Sequence, residues 1–235
     1  FSDDSNLISI MQLGTNDKWQ LEYEDSEIQV VGTTQLLIAI LEYIEWHFEI
    51  FSSQFLIFHG AAMRMADLAI FFIAPTCTGK SSMAAYFSAK MSYLSDDYAI
   101  FDPKQNLIYG LPSPIFLREL LPSLPLTGQE IIEYHPFRQE KIALFFPTKM
   151  QSCPFSPRKV IFIELQRTNE SSAGIQNMST AQLFKAMLFH LKRDSDIAWA
   201  RTIMPKSISC MVGYRLIYSS FSQAETFLNL LMSVV

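Results

Sequence analysis

A short segment ending in Gly79-Lys80-Ser81 carries the residue types that bind phosphate. Its spacing is a small residue, then four residues, then Gly-Lys-Ser, which is the pattern of a P-loop. In such a loop, backbone N–H groups and the start of the next helix point at phosphate oxygens. Lys80 would reach the β- and γ-phosphates, and the Ser81 hydroxyl would bind Mg²⁺. The predicted nucleotide-binding residues of this segment are Ala74, Pro75, Thr76, Cys77, Thr78, Gly79, Lys80, Ser81 and Ser82.

The segments on either side of the loop fit this motif. Residues 68–73 form a continuous apolar run that is typical of a buried strand, and residues 82–90 have the apolar spacing of an amphipathic helix. The alternative is a chance match in an ordinary turn, which the flanking strand and helix argue against. Ala74 and Cys77 replace residues that are usually glycine. We expect Ala74 to be tolerated at negative φ and Cys77 to be strained if its φ is positive.

Two nearby groups have the chemistry that phosphoryl transfer requires. Asp96-Asp97 lies within the strand-like segment 91–101, and paired carboxylates at a strand end can hold Mg²⁺ and accept a proton. Without the loop this pair would be an ordinary turn. His59 lies at a strand end ahead of the loop, which favours a functional role over the structural one that is usual for a lone histidine. The predicted catalytic residues are Asp97, Asp96, His59 and Lys80, and the predicted metal ligands are Ser81 and Asp96.

Composition narrows the class of protein. With 235 residues, 49% hydrophobic and 17% charged, the chain is long and apolar enough for a globular domain with a well-buried core. The net charge of −5 and the pI of about 5.4 do not favour a nucleic-acid partner. Three scattered cysteines without Cys-x-x-Cys spacing indicate a reduced, cytoplasmic location. The apolar run 36–51 contains Glu42, Glu45 and Glu49, so we do not expect a membrane span.

The remaining pattern predicts a mixed α/β fold. Polar and apolar residues alternate over 7–31, which predicts a small antiparallel lobe or an edge meander. Thr34 would cap a helix over about 35–52. The three glutamates of this helix would form a solvated face or, alternatively, a docking face. Strands are predicted at 106–110, 114–118, 141–146, 159–165 and 207–218. Residues 119–157 otherwise read as irregular covering loops and 167–178 as a polar loop. A capping box at Ser179 would start a helix over 180–192, and a second at Ser222 would start a final helix that ends at about Met232.

Taken together, the segments FHGAAM, APTCTGKSS, YLSDDYAIF and PSPIFLRE resemble the catalytic domain of the HPr kinase/phosphorylase family, whose nucleotide-binding core is related to phosphoenolpyruvate carboxykinases. The resemblance covers residues 34–120 by motif and the rest by element order. It implies an α/β P-loop core with a mixed central sheet, flanking helices and a small β-rich N-terminal lobe over 1–33, with the catalytic domain over 34–235. By position, Asp97 would be the base, Asp96 would lie near the metal, and Arg118 would contact a phosphate.

The same resemblance implies ATP- and Mg²⁺-dependent phosphorylation of a serine hydroxyl on a peptide or small protein. The Glu-x-Arg-Gly signature of HPr enzymes is absent, and the chain looks most like peptide-tailoring kinases such as the lasso-peptide kinases, which lack it. A nucleotide-binding regulator without catalysis and a small-molecule kinase stay open as alternatives. We expect no membrane partner. An oligomer is a further expectation from the family.

Overall fold

The computed structural model describes residues 9–14, 17–23, 26–51, 54–111, 113–118, 128–135, 140–169, 173–192 and 196–234. The strands are β1 (Ser9–Gln12), β2 (Lys18–Tyr23), β3 (Ser26–Val31), β4 (Leu56–Phe58), β5 (Gly60–Met65), β6 (Leu68–Ile73), β7 (Ser92–Ser95), β8 (Ala99–Asp102), β9 (Leu107–Tyr109), β10 (Ile115–Leu117), β11 (Gly128–His135), β12 (Glu140–Pro147), β13 (Lys159–Arg167), β14 (Gly174–Asn177) and β15 (Met211–Tyr218). The helices are α1 (Thr33–Phe51), α2 (Lys80–Phe87), α3 (Thr180–Phe189), α4 (Asp196–Ser207) and α5 (Phe221–Val234), with a 3-10 turn at Ile208–Cys210.

A six-stranded mixed sheet forms the centre of the fold, in the order β14-β15-β13-β6-β5-β7. β13 runs parallel to both β6 and β15, and the other neighbours are antiparallel. The carboxyl ends of β6, β13, β15 and β7 therefore lie at one edge of the sheet, together with the start of β5. Because ligands in α/β sheets bind beyond the carboxyl ends of the strands, this edge is where a site is expected.

Alternating side chains of the central sheet build two cores. Leu68, Ile70 and Phe72 of β6 face a core that also contains residues of α2 and α5. Ala69, Phe71 and Ile73 face the opposite core, which contains residues of α3 and α4. The six β6 side chains are all buried, as expected for a strand covered on both faces. The central sheet is thus a rigid layer between helices, and it fixes the position of every loop at its edge.

Three smaller sheets surround this layer. β1-β2-β3 packs Leu21 and Val30 against Leu36 and Ala39 of α1. Ile38, in the same turn of α1 but on another face, packs on β12 of the sheet β10-β12-β11. The third sheet, β4-β8-β9, contributes to the core on the α3 and α4 side. The fold is a mixed α/β structure with a β-rich N-terminal part, in agreement with the predicted fold class.

The strands predicted at 106–110, 114–118 and 159–165 are confirmed as β9, β10 and β13. The Ser179 capping box is also confirmed, since the Ser179 side chain accepts from the Gln182 backbone and the Gln182 side chain accepts from the Ser179 N–H. Its helix ends at Phe189 rather than at residue 192. Leu7, Ile8, Asn16 and Asp25, which belong to the alternating N-terminal pattern, lie outside the described residues, as do residues 119–127 and 136–139.

Several predictions were wrong, mostly where long-range pairing decides the structure. Residues 119–157 contain the antiparallel pair β11 and β12 instead of only irregular loops with one strand, and the predicted polar loop 167–178 contains β14, which pairs with β15. The segment 91–101 is two strands in different sheets. Helix α1 begins at Thr33, one residue after Gly32, which has a φ of +91°. Helix α2 ends at Phe87, three residues short of the predicted end, and α4 had not been predicted.

The last helix begins differently from the prediction. Ser220, rather than Ser222, caps α5: its hydroxyl accepts from the Gln223 N–H at 3.3 Å, and the Gln223 side chain accepts from the Ser219 N–H at 3.0 Å. Within the described parts of the chain, no helix combines the length and the apolar character that crossing a bilayer requires.

Candidate active site

The Gly-Lys-Ser segment connects the central strand β6 to helix α2 at the sheet edge. Lys80 is the first residue of α2, and its ammonium donates to the carbonyl oxygens of Ala74 at 3.1 Å and Pro75 at 3.2 Å. The Thr78 hydroxyl donates to the Pro75 carbonyl at 2.9 Å. The Lys80 and Thr78 side chains thus hydrogen-bond to carbonyl groups of the loop itself and fix its conformation. The strand–loop–helix order that the motif needs is present.

Two residues of the loop have left-handed backbone. Gly79 has a φ of +104°, and a Cβ atom there would approach the Tyr218 hydroxyl to 2.8 Å, so both conformation and space favour glycine. Cys77 has a φ of +64°, which is the strained case anticipated from the sequence, whereas Ala74 is not among the positive-φ residues. The Tyr218 hydroxyl donates to the Thr78 carbonyl at 2.9 Å. Tyr218, at the end of β15, therefore supports the loop from the neighbouring part of the sheet.

Strand pairing brings His59 and Asp97 together. β4 pairs with β8 so that Phe58 lies opposite Ala99, and the residues just beyond that pair leave the ladder on the same side. His59 Nε2 lies 3.3 Å from Asp97 Oδ1. Gly60, next to His59, is needed for close packing, because a Cβ atom there would meet the Phe72 carbonyl oxygen at 2.5 Å. Asp97 has a φ of +62°, a conformation that aspartate tolerates better than most residues and that recurs at functional sites.

Asp96 lies in a different environment from its neighbour. Its side chain is only 4% exposed and accepts a hydrogen bond from Ser81, while its Oδ1 atom is buried without a hydrogen-bond partner. A buried carboxylate oxygen without a partner is costly, so it requires an explanation such as a bound ion. Ser81 and Asp96 are the two residues predicted as metal ligands, and the structure places them in contact.

The two carboxyl groups have pKa values shifted in opposite directions. Burial, followed by the charge of Asp97, raises the pKa of Asp96 to about 8. Burial also acts to raise the pKa of Asp97, but the hydrogen bond and charge of His59, with Lys192 and Lys80, outweigh it and leave the pKa below its ordinary value. Burial lowers the pKa of Lys80 against the opposing effect of the two aspartates. Two neighbouring carboxyl groups whose pKa values are shifted apart in this way are typical of acid/base sites.

A cleft of about 340 Å³ covers these groups, and we call it the phosphate cleft. Its volume lies within the range of small-molecule sites. The predicted residues Arg118, Ser82 and Thr76 line it, and the Arg118 guanidinium donates to Cys77 Sγ at 3.0 Å. The full lining is His59, Thr76, Cys77, Gly79, Lys80, Ser81, Ser82, Asp97, Phe116, Leu117, Arg118, Ile142 and Arg167. Nine of the predicted site residues therefore line one cleft, whereas Ala74, Pro75, Thr78 and Asp96 are not among its lining residues.

No protein-family model matches the chain, and no curated protein is significantly similar to it. Among solved structures, the Hpr(Ser) kinase/phosphatase from Coxiella burnetii aligns with 74% of this chain and 93% of its own, at 10% sequence identity and a TM-score of 0.35. This likeness is too distant to transfer a property to the chain.

Sequence reasoning missed four residues around the site. Arg167 lines the phosphate cleft from the end of β13, and Tyr218 holds the loop. Both residues lie at the carboxyl ends of apolar strands, and this position in the sequence could have identified them as candidates for the site. Glu45 of α1 is 8% exposed rather than solvated, and burial raises its pKa to about 7. His190 is buried beside His59 and lines a second cleft. For Glu45 and His190 the sequence carries no local signal.

Proposed function

We propose that the protein is an ATP- and Mg²⁺-dependent kinase that transfers the γ-phosphate to a serine hydroxyl of a peptide or small protein. The observation that carries the proposal is the meeting of three features at one sheet edge: the Gly-Lys-Ser loop, the Ser81–Asp96 contact and the His59–Asp97 pair. Phosphoryl transfer depends mostly on positioning and on neutralising charge. The phosphate cleft supplies both, since Lys80, Arg118 and Arg167 all line it.

The chemistry assigns a proton acceptor to the site. The serine O–H bond breaks and its proton passes to Asp97, while the serine oxygen bonds to the γ-phosphorus. The bond from that phosphorus to the bridging oxygen breaks, and ADP leaves. Asp97 offers an ionised carboxylate at neutral pH, and His59 orients it through a contact of 3.3 Å. Lys80 binds the β- and γ-phosphates and counters the charge that the leaving ADP carries.

The residues fit a divalent cation. Ser81 offers a hydroxyl, and Asp96 offers a buried oxygen that has no other partner. Mg²⁺ is usually held by one or two protein oxygens together with phosphates and water. Within the described ranges, no three or more His, Cys, Asp or Glu side chains form a cluster suited to a metal. The cation would neutralise phosphate charge, and Asp96 and Ser81 are the side chains that would hold it.

The identity of the acceptor is the most specific part of the proposal. The resemblance to kinases that tailor ribosomal peptides, including lasso-peptide precursors, supports a peptide acceptor for this chain. The competing outcomes of the test below are a kinase that acts on a small molecule and a nucleotide sensor without catalysis. Ala74 and Cys77, which depart from the glycine-rich pattern, are the feature that favours a sensor. Cys77 has a left-handed φ of +64°, yet Lys80 still donates to the Ala74 carbonyl at the base of the loop.

The proposal is tested with peptide pools whose random positions exclude Ser, Thr and Tyr and whose central residue is fixed as serine, threonine, tyrosine or alanine. Each pool is incubated with γ-labelled ATP, with and without Mg²⁺, and with the parent protein or the Asp97→Asn variant. We expect label on the serine pool only with Mg²⁺ and the parent protein. Binding of Mg²⁺–ATP measured by calorimetry, without label in any hydroxyl pool, would contradict a peptide kinase and favour the sensor or the small-molecule kinase.

A further inference from the structure

A second cleft adjoins the loop that binds phosphate in the proposed function. It has a volume of about 520 Å³ and shares His59 and Thr76 with the phosphate cleft. Its other lining residues are Ala74, Pro75, Phe189, His190, Leu191 and Lys192. We call it the second cleft. It therefore reaches the His59–Asp97 pair from the side of α3 rather than from the side of Arg118.

The wall of the second cleft is attached directly to the strand that carries His59. The segment after α3 continues as an extended stretch in which Leu191 forms a bridge with Phe58. His190 accepts from the His59 N–H at 2.7 Å through its carbonyl, and the Lys192 N–H donates to the Ile57 carbonyl at 2.8 Å. These backbone bonds fix the wall relative to the catalytic pair, so a molecule held against the wall is also held relative to Asp97.

This wall contains a polar atom that lacks a partner. The His190 side chain is 4% exposed, and its Nε2 atom is buried without a hydrogen-bond partner. An unsatisfied buried nitrogen costs free energy, and in native proteins it usually has a functional explanation. Burial lowers the pKa of His190 to about 4, so the ring is neutral at pH 7. A neutral imidazole suits a hydrogen bond with an uncharged amide or hydroxyl group rather than with a phosphate.

The rim of the cleft exposes a large aromatic side chain. Phe189 is 75% exposed at the end of α3, and its ring stands edge-to-face with the His190 ring at 5.1 Å between centroids. Exposed aromatic side chains next to a pocket are common anchors for a bound chain, because they offer a large contact area at low entropic cost. The residues that line the cleft include no carboxylate, and they include Lys192, whose ammonium lies over the Tyr98 ring at 3.3 Å from its centroid. A neutral or acidic ligand fits this lining better than a basic one.

We propose that the second cleft binds the acceptor peptide, with an aromatic or large aliphatic residue next to the serine packed on Phe189 and a backbone amide bonded to His190. This inference rests on the proposed function and names its substrate class. The serine reaches Asp97 past His59, which belongs to both clefts. ATP and acceptor then enter from different sides and meet at the His59–Asp97 pair.

The test uses serine-centred peptide pools in which the residues on either side of the serine are fixed in turn as Phe, Leu, Ala, Glu or Lys. The enzymes are the parent, Phe189→Ala, His190→Gln and the control Leu230→Ala. Leu230 is also an exposed apolar residue, at 59% against 75% for Phe189, and it lies outside both clefts. We expect the parent to prefer Phe or Leu beside the serine. Phe189→Ala should raise KM for those peptides by about tenfold and remove the preference, with the Kd for ATP unchanged.

His190→Gln should raise KM for every peptide while ATP binding stays as in the parent, and Leu230→Ala should match the parent throughout. Because Phe189 is exposed, its variant folds and decides the matter even if His190→Gln does not fold. Equal KM values for the parent and Phe189→Ala would overturn this inference alone. A parent that binds Mg²⁺–ATP and labels none of the pools would overturn the proposed function, and this inference with it.

Discussion

The phosphate cleft and the second cleft share His59 but are assembled in different ways. Six of the thirteen residues that line the phosphate cleft come from one continuous segment, residues 76–82, whose geometry follows from a strand, a loop and a helix in immediate succession. The wall of the second cleft comes from residues 189–192, which reach His59 only because Leu191 pairs with Phe58. Local sequence therefore specifies the loop side of the phosphate cleft, and tertiary pairing specifies the wall of the second cleft.

The largest effect should come from the local part of the site. Lys80→Ala removes the ammonium at the base of the loop, which serves both bound ATP and the transition state. We expect the Kd for Mg²⁺–ATP to rise by roughly 10- to 100-fold, the usual value of a charged hydrogen bond, and kcat/KM to fall further. Calorimetry and steady-state kinetics measure the two values. Unchanged ATP affinity would show that the loop does not bind phosphate.

Glu45 tests the part of the site that depends on long-range packing. Burial raises its pKa from 4.5 to about 7, with smaller effects of a Ser113 hydrogen bond, Glu42, Lys192 and Asp97. Because the folded-state pKa is raised, the contribution of Glu45 to stability is complete below pH 4.5 and is lost as the pH rises through about 7. Between pH 5 and 8, Glu45→Gln should therefore gain stability relative to the parent, on the order of 2 to 3 kcal/mol.

Urea unfolding of the parent and of Glu45→Gln at pH 5, 6.5 and 8 measures this difference. Glu27→Gln, at an exposed position that does not act on Glu45, is the control and should follow the parent. If Glu45→Gln also follows the parent at every pH, Glu45 is solvated as its sequence pattern suggested, and the packing of α1 against the site is wrong.

Gly79 is constrained both by its own backbone conformation, which the local sequence determines, and by contact with Tyr218, which is distant in sequence. Gly79→Ala introduces a Cβ atom at a φ of +104° and 2.8 Å from the Tyr218 hydroxyl. We expect ATP affinity to fall by about tenfold, since left-handed backbone costs a non-glycine residue 1–2 kcal/mol. The double variant Gly79→Ala with Tyr218→Phe removes the contact and keeps the strain. Recovery of parental affinity in the double variant would show that backbone strain contributes nothing.

The smallest effect is expected from Tyr218→Phe alone. It removes the hydroxyl that donates to the Thr78 carbonyl and keeps the buried ring. A net hydrogen bond is worth about 1 kcal/mol, so the Kd for ATP should rise by about two- to tenfold. Titration of ATP against parent and variant measures it. Identical affinity would mean that the loop holds its shape without support from β15.

Much of the phosphate cleft could be predicted from sequence for a physical reason. The loop, its strand and its helix are consecutive, and their backbone requirements appear directly as Gly79, the apolar run 68–73 and the helical pattern after Lys80. His59 and Asp97 were also identified, although the register that joins them, Phe58 opposite Ala99, belongs to a separate sheet. Their meeting could be inferred only from the resemblance to a family.

The sequence was least informative where distant segments pair. β14 and β11 are short or polar strands that form because β15 and β12 offer them partners. Glu45 was assigned to a solvated face because helical spacing shows which residues share a face but not what covers that face. In the structure it approaches Ser113, Lys192 and Asp97 instead. His190 likewise has no distinguishing neighbours in sequence, and only the fold brings it beside His59.

The central claim is that two adjacent carboxylates have separate roles, with Asp97 as the proton acceptor and Asp96 as the metal ligand. The most direct measurement is the Kd for Mg²⁺–ATP together with kcat for Asp97→Asn and Asp96→Asn. Asp97→Asn should keep ATP affinity within a few-fold while kcat falls by roughly 10²- to 10⁴-fold, the usual contribution of a positioned base. Asp96→Asn should weaken Mg²⁺–ATP binding as well as turnover. The account is contradicted if Asp97→Asn loses Mg²⁺–ATP binding while Asp96→Asn loses only turnover, or if neither substitution slows the reaction.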